Sequence, residues 1–323
     1  MMKQISRISN KLTKTRVLVR NQELNKHVPL TKKMDKNTLY EMLQKYKMVY
    51  IKPCCGSLGQ GVIRVELTRA QYSYQSGTHV HKFSNYDTAY RALLREAQGK
   101  SYLVQKGIRL LVYDVRPFDI RVMVQRNSKG GWEATGVAGR VAHPRKVVTN
   151  GSQGGTIYPV EELLKAYTST ENCTILIRSL KQIGVKSARQ LSTVYPDLQE
   201  IGVDIALDQR LKPWILEVNT APDPCPFTKL KDTRMIDRIV RYAKVYGRTY
   251  NLKCMKSKQG CRVKHSRIHV PRRTVNLQVH SSPFVRSIGS VYSEDRRKKT
   301  RNPLFKFDYK GSFSITLRGK LCT

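Results

Sequence analysis

Apolar and polar positions along the first 250 residues follow two rhythms. Leu39, Met42, Leu43 and Tyr46 recur at intervals of three and four, which predicts a helix with Asn37 as its cap. The unbroken run Met48-Val49-Tyr50-Ile51 follows and predicts a buried strand. Lys52 stands at its end, then Gly56-Ser57-Leu58-Gly59-Gln60-Gly61, then a second strand at Val62-Ile63-Arg64-Val65. A P-loop or dinucleotide-binding motif would place a helix after the glycines, so strand–glycine loop–strand argues against both. Tyr72, Tyr74, Val80 and Phe83 flank a turn at 75–78 and extend the antiparallel pattern.

The helical rhythm returns at Tyr86, Ala89, Tyr90, Leu93, Leu94 and Ala97. Residues 102–105 read as a strand, and 120–125 and 133–141 as two more joined by a turn at 127–131. Helices are expected at 161–167 and 173–183. Two apolar strands, 202–208 and 213–219, are joined by a polar turn, and a closing helix covers 228–246. This mixture predicts an α+β fold with largely antiparallel sheets.

Composition changes the picture at the C-terminal end. The 323 residues carry 60 Lys and Arg against 23 Asp and Glu, a net charge of +37. Residues 252–323 hold +15 of it and lack sustained periodicity. That segment reads as a basic, mostly disordered tail with short strands near 275–279 and 312–317, leaving 1–251 as the folded unit. The charge points to a polyanion: nucleic acid, a membrane surface, a phosphorylated ligand or an acidic coat. No aromatic-rich reading platform accompanies it, so specific nucleic-acid recognition is not expected. No apolar run reaches the roughly 18 residues that span a bilayer, and no signal-peptide core opens the chain, so a cytoplasmic protein is expected. Seven cysteines without a CxxC pair predict reduced thiols rather than a disulfide framework. Cys54 and Cys55 are adjacent and cannot readily bridge each other, while Cys254, Cys261 and His265 lack a fourth zinc ligand.

Four constellations carry chemistry. Asp204 interrupts one apolar strand, and Glu217 and Asn219 interrupt the next, two apart and therefore on one face. Two carboxylates and an amide oxygen are hard ligands suited to Mg²⁺, although polar residues capping a hairpin would look similar. Lys52 with its glycine loop could meet phosphates through a point charge and backbone N–H groups, or could be a plain β-turn. Asp119 and Arg121 share a strand face, and Arg140 lies on the following strand. These arginines could face a transferring phosphoryl group, or form a surface ion pair. The polar loop 149–155 reads as a phosphate or substrate contact, or as a turn.

Taken in order, these segments resemble the ATP-grasp superfamily. The order runs Lys52-Pro53 with its glycine loop, Val104-Gln105-Lys106-Gly107-Ile108, Asp119-Ile120-Arg121-Val122 and Gly139-Arg140. It continues with Asn150 near Gly154-Gly155, Gly202-Val203-Asp204 and Leu216-Glu217-Val218-Asn219. More narrowly, the chain resembles the YheC/YheD-type, endospore-coat-associated branch from Ser9 to Tyr250. The resemblance implies two α+β lobes, about 48–108 and about 109–251, clamping ATP. Lys52, Gly56, Ser57, Gly59 and Gly61 then meet phosphates, and Lys11 of Ser9-Asn10-Lys11 is the second nucleotide-contacting lysine. Gln105, Lys106 and Ile108 form the adenine hinge. Asp204, Glu217 and Asn219 hold Mg²⁺, with Mn²⁺ as the alternative, and Arg140 and Arg121 face the γ-phosphate. Family members often carry an N-terminal domain ahead of the first lysine, where this chain has ten residues. The implied activity is ATP-dependent ligation of a carboxylate to an amine through an acyl phosphate, in a protein associated with the spore coat. The alternative is an ATP-binding structural or assembly protein of the coat. In either case the basic tail would meet a polyanionic surface.

Overall fold

The computed structural model describes residues 8–56, 59–69, 71–144, 155–254 and 258–260. Two sheets organise them. The first has six strands and is antiparallel throughout. Its strands are β1 (Thr31–Lys33), β2 (Met48–Pro53), β3 (Ile63–Thr68), β4 (Gln71–Ser76), β5 (His79–Phe83) and β6 (Tyr102–Lys106), in the order β1-β6-β2-β3-β4-β5. Two helices, α3 (Lys36–Tyr46) and α4 (Tyr86–Ala97), lay their apolar stripes on it. Leu39, Leu43, Val49, Ile51, Ile63 and Leu93 are the centre of that core, each at most 1% exposed. The cap of α3 is Asp35 rather than Asn37. Asp35 has extended backbone and its carboxylate accepts from Thr38 N at 2.8 Å, whereas Asn37 already lies within the first turn.

The second sheet has seven strands: β7 (Val112–Tyr113), β8 (Arg116–Arg126), β9 (Trp132–Val141), β10 (Thr156–Tyr158), β11 (Glu200–Leu207), β12 (Pro213–Asn219) and β13 (Lys258–Gln259). They run β12-β11-β8-β9-β10-β13, with β7 on β8, and only the β10–β13 pair is parallel. The long helix α6 (Thr170–Ser192) covers one face, with α5 (Val160–Leu164) beside it. A 3₁₀ turn (Cys225–Lys229) and α7 (Arg234–Val245) cover the other. Side chains alternate accordingly. Ile120, Val122 and Val124 join the α6 core with Ile201, Val203 and Ile205, while Met123 and Ala138 meet Phe227 and Ile239.

Three elements depart from the expected pattern. Helix α1 (Lys11–Val19), capped by Asn10, packs Val17 and Leu18 into the α6 core, with α2 (Gln22–Asn25) following. Only those two apolar residues reach the core, too few to show a helical stripe. Helix α6 does not stop near 183 but continues to Ser192, because Gly184 is a packing residue rather than a break. A Cβ at 184 would stand 2.9 Å from Val122 Cγ1 and 3.0 Å from Val124 Cγ2. The closing helix begins at Arg234 rather than 228, since Thr228 and Lys229 belong to the 3₁₀ turn.

The cysteines also depart from expectation. Cys225 and Cys254 are joined as a disulfide, with Cα atoms 5.5 Å apart, where the sequence predicts reduced thiols. The 3₁₀ turn and the segment after α7 meet in space across 29 positions, a spacing that carries no recognisable motif. Cys54, Cys55 and Cys173 are free. The strands expected at 275–279 and 312–317 lie outside the described residues. Lys258 and Gln259, within the expected tail, pair with β10.

Because Gly184 is where α6 rides closest to the sheet, Gly184→Val should lower unfolding stability by about 2 kcal/mol through overpacking. Urea denaturation measures it, and an unchanged midpoint would refute the packing role.

Candidate functional site

Sheet register assembles a row of charged residues. Asp119 on β8 faces Arg140 on β9, Arg121 on β8 faces Asp204 on β11, and Asp204 faces Glu217 on β12. Arg140 grips Asp119 with both arms of its guanidinium, Nε to Oδ1 at 2.7 Å and Nη2 to Oδ2 at 2.6 Å, and also reaches Asp204 Oδ2 at 3.0 Å. Arg121 grips Asp204 in the same way, through Nε to Oδ1 and through Nη2 to Oδ2 at 3.2 Å. All four are at least 94% buried: Asp119 2%, Arg140 2%, Asp204 3% and Arg121 6% exposed. Two positive and two negative charges cancel, which is how charges survive burial. Burial alone resists ionisation of Asp204, but Arg121 and Arg140 outweigh it and hold its carboxyl below the usual range. Burial likewise opposes the charge on Arg140, and Asp119 and Asp204 reverse that, raising it.

Space for this row comes from Gly202. A Cβ there would lie 3.2 Å from the Arg121 guanidinium and 2.9 Å from Pro222 Cβ. Asn219, opposite Gly202 in register, donates its amide to Asp204 Oδ2 at 3.4 Å.

Two lysines approach from outside the second sheet. Lys52, near the end of β2, donates to Gln105 Oε1 at 2.6 Å and to the Leu216 carbonyl of β12 at 3.4 Å. Gln105 in turn donates to Thr31 Oγ1 at 3.0 Å. Burial pushes the Lys52 ammonium down, with Glu217 pulling the other way. Lys11 opens α1 and donates to the Gly56 carbonyl at 2.8 Å, with Glu217 Oε1 3.8 Å away. Its own N–H meets the Cys54 carbonyl at 2.8 Å, which ties the start of α1 to the glycine loop. A narrow cleft between the two sheets is lined by Lys11, Lys14, Lys52, Gln105, Leu216 and Glu217.

The structure thus brings Lys11, Lys52, Gln105 and Glu217 to one cleft, beside the row of Arg121, Arg140, Asp204 and Asn219. Gly56, Gly59 and Gly61 have φ of 121°, 70° and 69°, backbone that favours glycine. Ser57 and most of the polar loop, 149–154, lie outside the described residues. Lys106 holds its ammonium 5.2 Å from the Tyr46 ring and 5.0 Å from the Trp214 ring. Ile108 is buried. Lys14, 5% exposed, is a cleft residue that the sequence reading missed. Lys11, Lys14, Thr15 and Leu18 line the cleft at helical spacing, so the missing signal was the helix itself.

The oxygen donors of Asp204, Glu217 and Asn219 suit a hard divalent cation that arrives on phosphates and completes its shell with phosphate and water oxygens. They do not form a free-standing metal cage: among the described residues no group of three or more His, Cys, Asp or Glu could hold an ion. Both Asp204 oxygens are engaged by guanidinium groups. Glu217 is the least committed carboxylate of the set, with Lys11 its ion-pair partner.

The family described as YheC/D like ATP-grasp matches residues 5–249. The chain belongs to that family. Membership accounts for the α+β architecture and for a site whose usual ligand in this family is ATP. Two relatives come from Bacillus subtilis (strain 168). "Endospore coat-associated protein YheD" is 29% identical over 188 residues, 56% of this chain and 41% of that protein. "Endospore coat-associated protein YheC" is 25% identical over 220 residues, 67% and 60% respectively. The chain therefore spans less than two thirds of the length of either relative. Among the described residues no helix is long and apolar enough to cross a membrane.

Asp204→Asn would leave the buried Arg121 without its counter-charge and Arg140 with Asp119 alone, and should cost about 3 kcal/mol of stability at pH 7. Because the carboxyl is held low in the folded chain, its contribution is complete above the unfolded value near pH 4 and is lost as pH falls further. The gap between the unfolding free energies of the two proteins should narrow progressively as pH falls below about 4 and close only below the lowered folded value. A gap that stays constant with pH would contradict the ion-pair account.

Proposed function

We propose that this chain binds Mg-ATP in the cleft between the two sheets and uses it to join a carboxylate to an amine. The observation that carries the reading is the convergence of Lys11 and Lys52, from separate elements, on β12, Lys11 at Glu217 and Lys52 at the Leu216 carbonyl, next to the strand that carries Asp204. Cationic groups on one side and acidic oxygens on the other suit a triphosphate with its cation. Lys52 and Lys11 would hold phosphate oxygens, with the amides of Gly56, Ser57, Gly59 and Gly61 beside them. Gln105, Lys106 and Ile108 would line the adenine end. Glu217 and Asn219 would hold Mg²⁺ or Mn²⁺, with Asp204 shared between the ion and its arginines. The bound cation supplies charge neutralisation on the β- and γ-phosphates.

In the proposed reaction a substrate carboxylate oxygen attacks the γ-phosphorus, the bridging P–O bond breaks and ADP leaves. The amine nitrogen then attacks the acyl carbon, inorganic phosphate departs and the amine proton passes to solvent. Arg121 and Arg140 would stabilise charge on the transferring phosphoryl group from within their ion pairs. Association with the endospore coat is proposed from the two relatives. The folded unit 1–251, with lobes near 48–108 and 109–251 and a basic segment after it that meets a polyanionic surface, is part of the same proposal.

One observation favours a second reading, an ATP-binding coat assembly protein without turnover. Both arginines are already paired through Nε and Nη2 with Asp119 and Asp204, so neither presents an uncommitted charge to a phosphoryl group. ADP formation with pooled amino acids and peptides supports the ligase. ATP binding without ADP formation supports the assembly protein.

Glu217→Gln keeps shape and removes charge. It should weaken Mg-ATP binding by about tenfold or more, the worth of one charge-assisted contact, while leaving the melting temperature of the free protein unchanged. Thermal stabilisation by Mg-ATP that survives the substitution undiminished would remove Glu217 from the metal site.

A further inference from the structure

Asp204 shares its strand face with a second acid. Glu200 lies four residues earlier on β11, is fully buried, and faces Gln125 on β8. Its Oε2 accepts from the hydroxyls of Tyr246, at 2.5 Å, and Tyr250, and its Oε1 pairs with Arg248. Gln125 braces the group from below, donating to Tyr246 Oη at 2.6 Å and to the Ile239 carbonyl at 3.1 Å. None of these residues lies in the cleft, and the proposed reaction uses none of them. A carboxylate buried at an ordinary sheet position is costly unless paired, and an apolar residue would pack there more simply.

The pairing has a geometric consequence. Arg248 extends a second guanidinium nitrogen to the Pro222 carbonyl, 3.4 Å away. Pro222 is the third residue after Asn219, and its Cβ shares the space over Gly202 with Arg121. Six residues after Asn219, Cys225 is bonded to Cys254. The segment 246–254 therefore holds the loop 220–225 at two points: from Glu200 through Arg248, and through the disulfide. The guanidinium makes these two contacts through separate nitrogens, Nη1 to Glu200 and Nη2 to the Pro222 carbonyl, a span that the shorter, single-nitrogen head of lysine does not reproduce.

We infer that Arg248 is a positioning residue that sets Asn219 beside Asp204, and that residues 246–254 are a strap on the loop following the Glu217–Asn219 pair, with Cys225–Cys254 as its second tie. The strap itself is independent of ligand; its consequence for metal affinity rests on the proposed nucleotide site. Two measurements on the full chain separate the two.

The first is hydrogen–deuterium exchange without nucleotide. Arg248→Lys keeps a positive charge beside Glu200 and so preserves the fold. It should raise exchange over 217–225 about tenfold, the loss of one charge-assisted contact, with the glycine loop and α3 unchanged. Cys254→Ser should raise exchange over the same peptide. Unchanged exchange there, or a rise spread evenly over both sheets, overturns the strap. The second is titration of MgCl₂ at fixed ATP, read by thermal stabilisation. Arg248→Lys should raise the half-saturating magnesium about tenfold, again the worth of one such contact. Local loosening with no change in magnesium dependence overturns the positioning of Asn219. An unaltered chain that binds no ATP removes the nucleotide reading, and the exchange result alone then decides the strap.

Discussion

The second sheet is organised around a buried exchange of charge. Arg121, Arg140, Asp119 and Asp204 occupy the centre of a sheet whose opposite face is an apolar core against α6. None of the four can be buried without the others, because an unpaired charge there would carry a desolvation cost of several kcal/mol. The pairing therefore fixes register: a one-residue slip of β8 against β9 or β11 would turn a charged side chain into the α6 core. It also explains Gly202, since the guanidinium of Arg121 fills the volume that a side chain would take.

That fixed row gives the cleft its polarity. Antiparallel pairing puts Glu217 of β12 opposite Asp204 and Asn219 opposite Gly202. The lysines come from elsewhere, Lys52 from the first sheet and Lys11 from a helix whose apolar residues belong to the second core. Lys52 touches the Leu216 carbonyl and Lys11 approaches Glu217, so each lysine spans from its own element to β12. The site is thus made of contacts between elements distant in sequence. The segment after α7 adds to this by tying the loop that follows Asn219 to Glu200 and to Cys254.

Much of the fold is legible in the sequence where periodicity is strong. Helices α3 and α4 and strands β2, β6, β11 and β12 follow from their apolar spacing, because packing on one face leaves a regular trace. Helix α1 does not, since it buries little of its surface and carries three lysines or arginines in nine residues. Helix α6 runs past the expected end at 183 because Gly184 packs against the valines beneath it, a contact that the sequence does not display. The disulfide leaves no trace at all, because two cysteines 29 apart have no characteristic spacing.

By itself the sequence determines the α+β class and the family and marks candidate site residues, since those depend on local pattern and on residue type at marked strand positions. Only the tertiary structure decides which charges are spent on one another. Asp204 reads in the sequence as an oxygen ligand and Arg140 as a residue facing a phosphoryl group or in a surface ion pair; in the folded chain both belong to one buried network with Arg121 and Asp119. Lys14 and Arg248 have no marked position in the sequence and acquire one through packing. The physical reason is that burial charges every polar group a desolvation penalty. The partner that offsets it comes from whichever strand or helix the fold places alongside, regardless of distance along the chain.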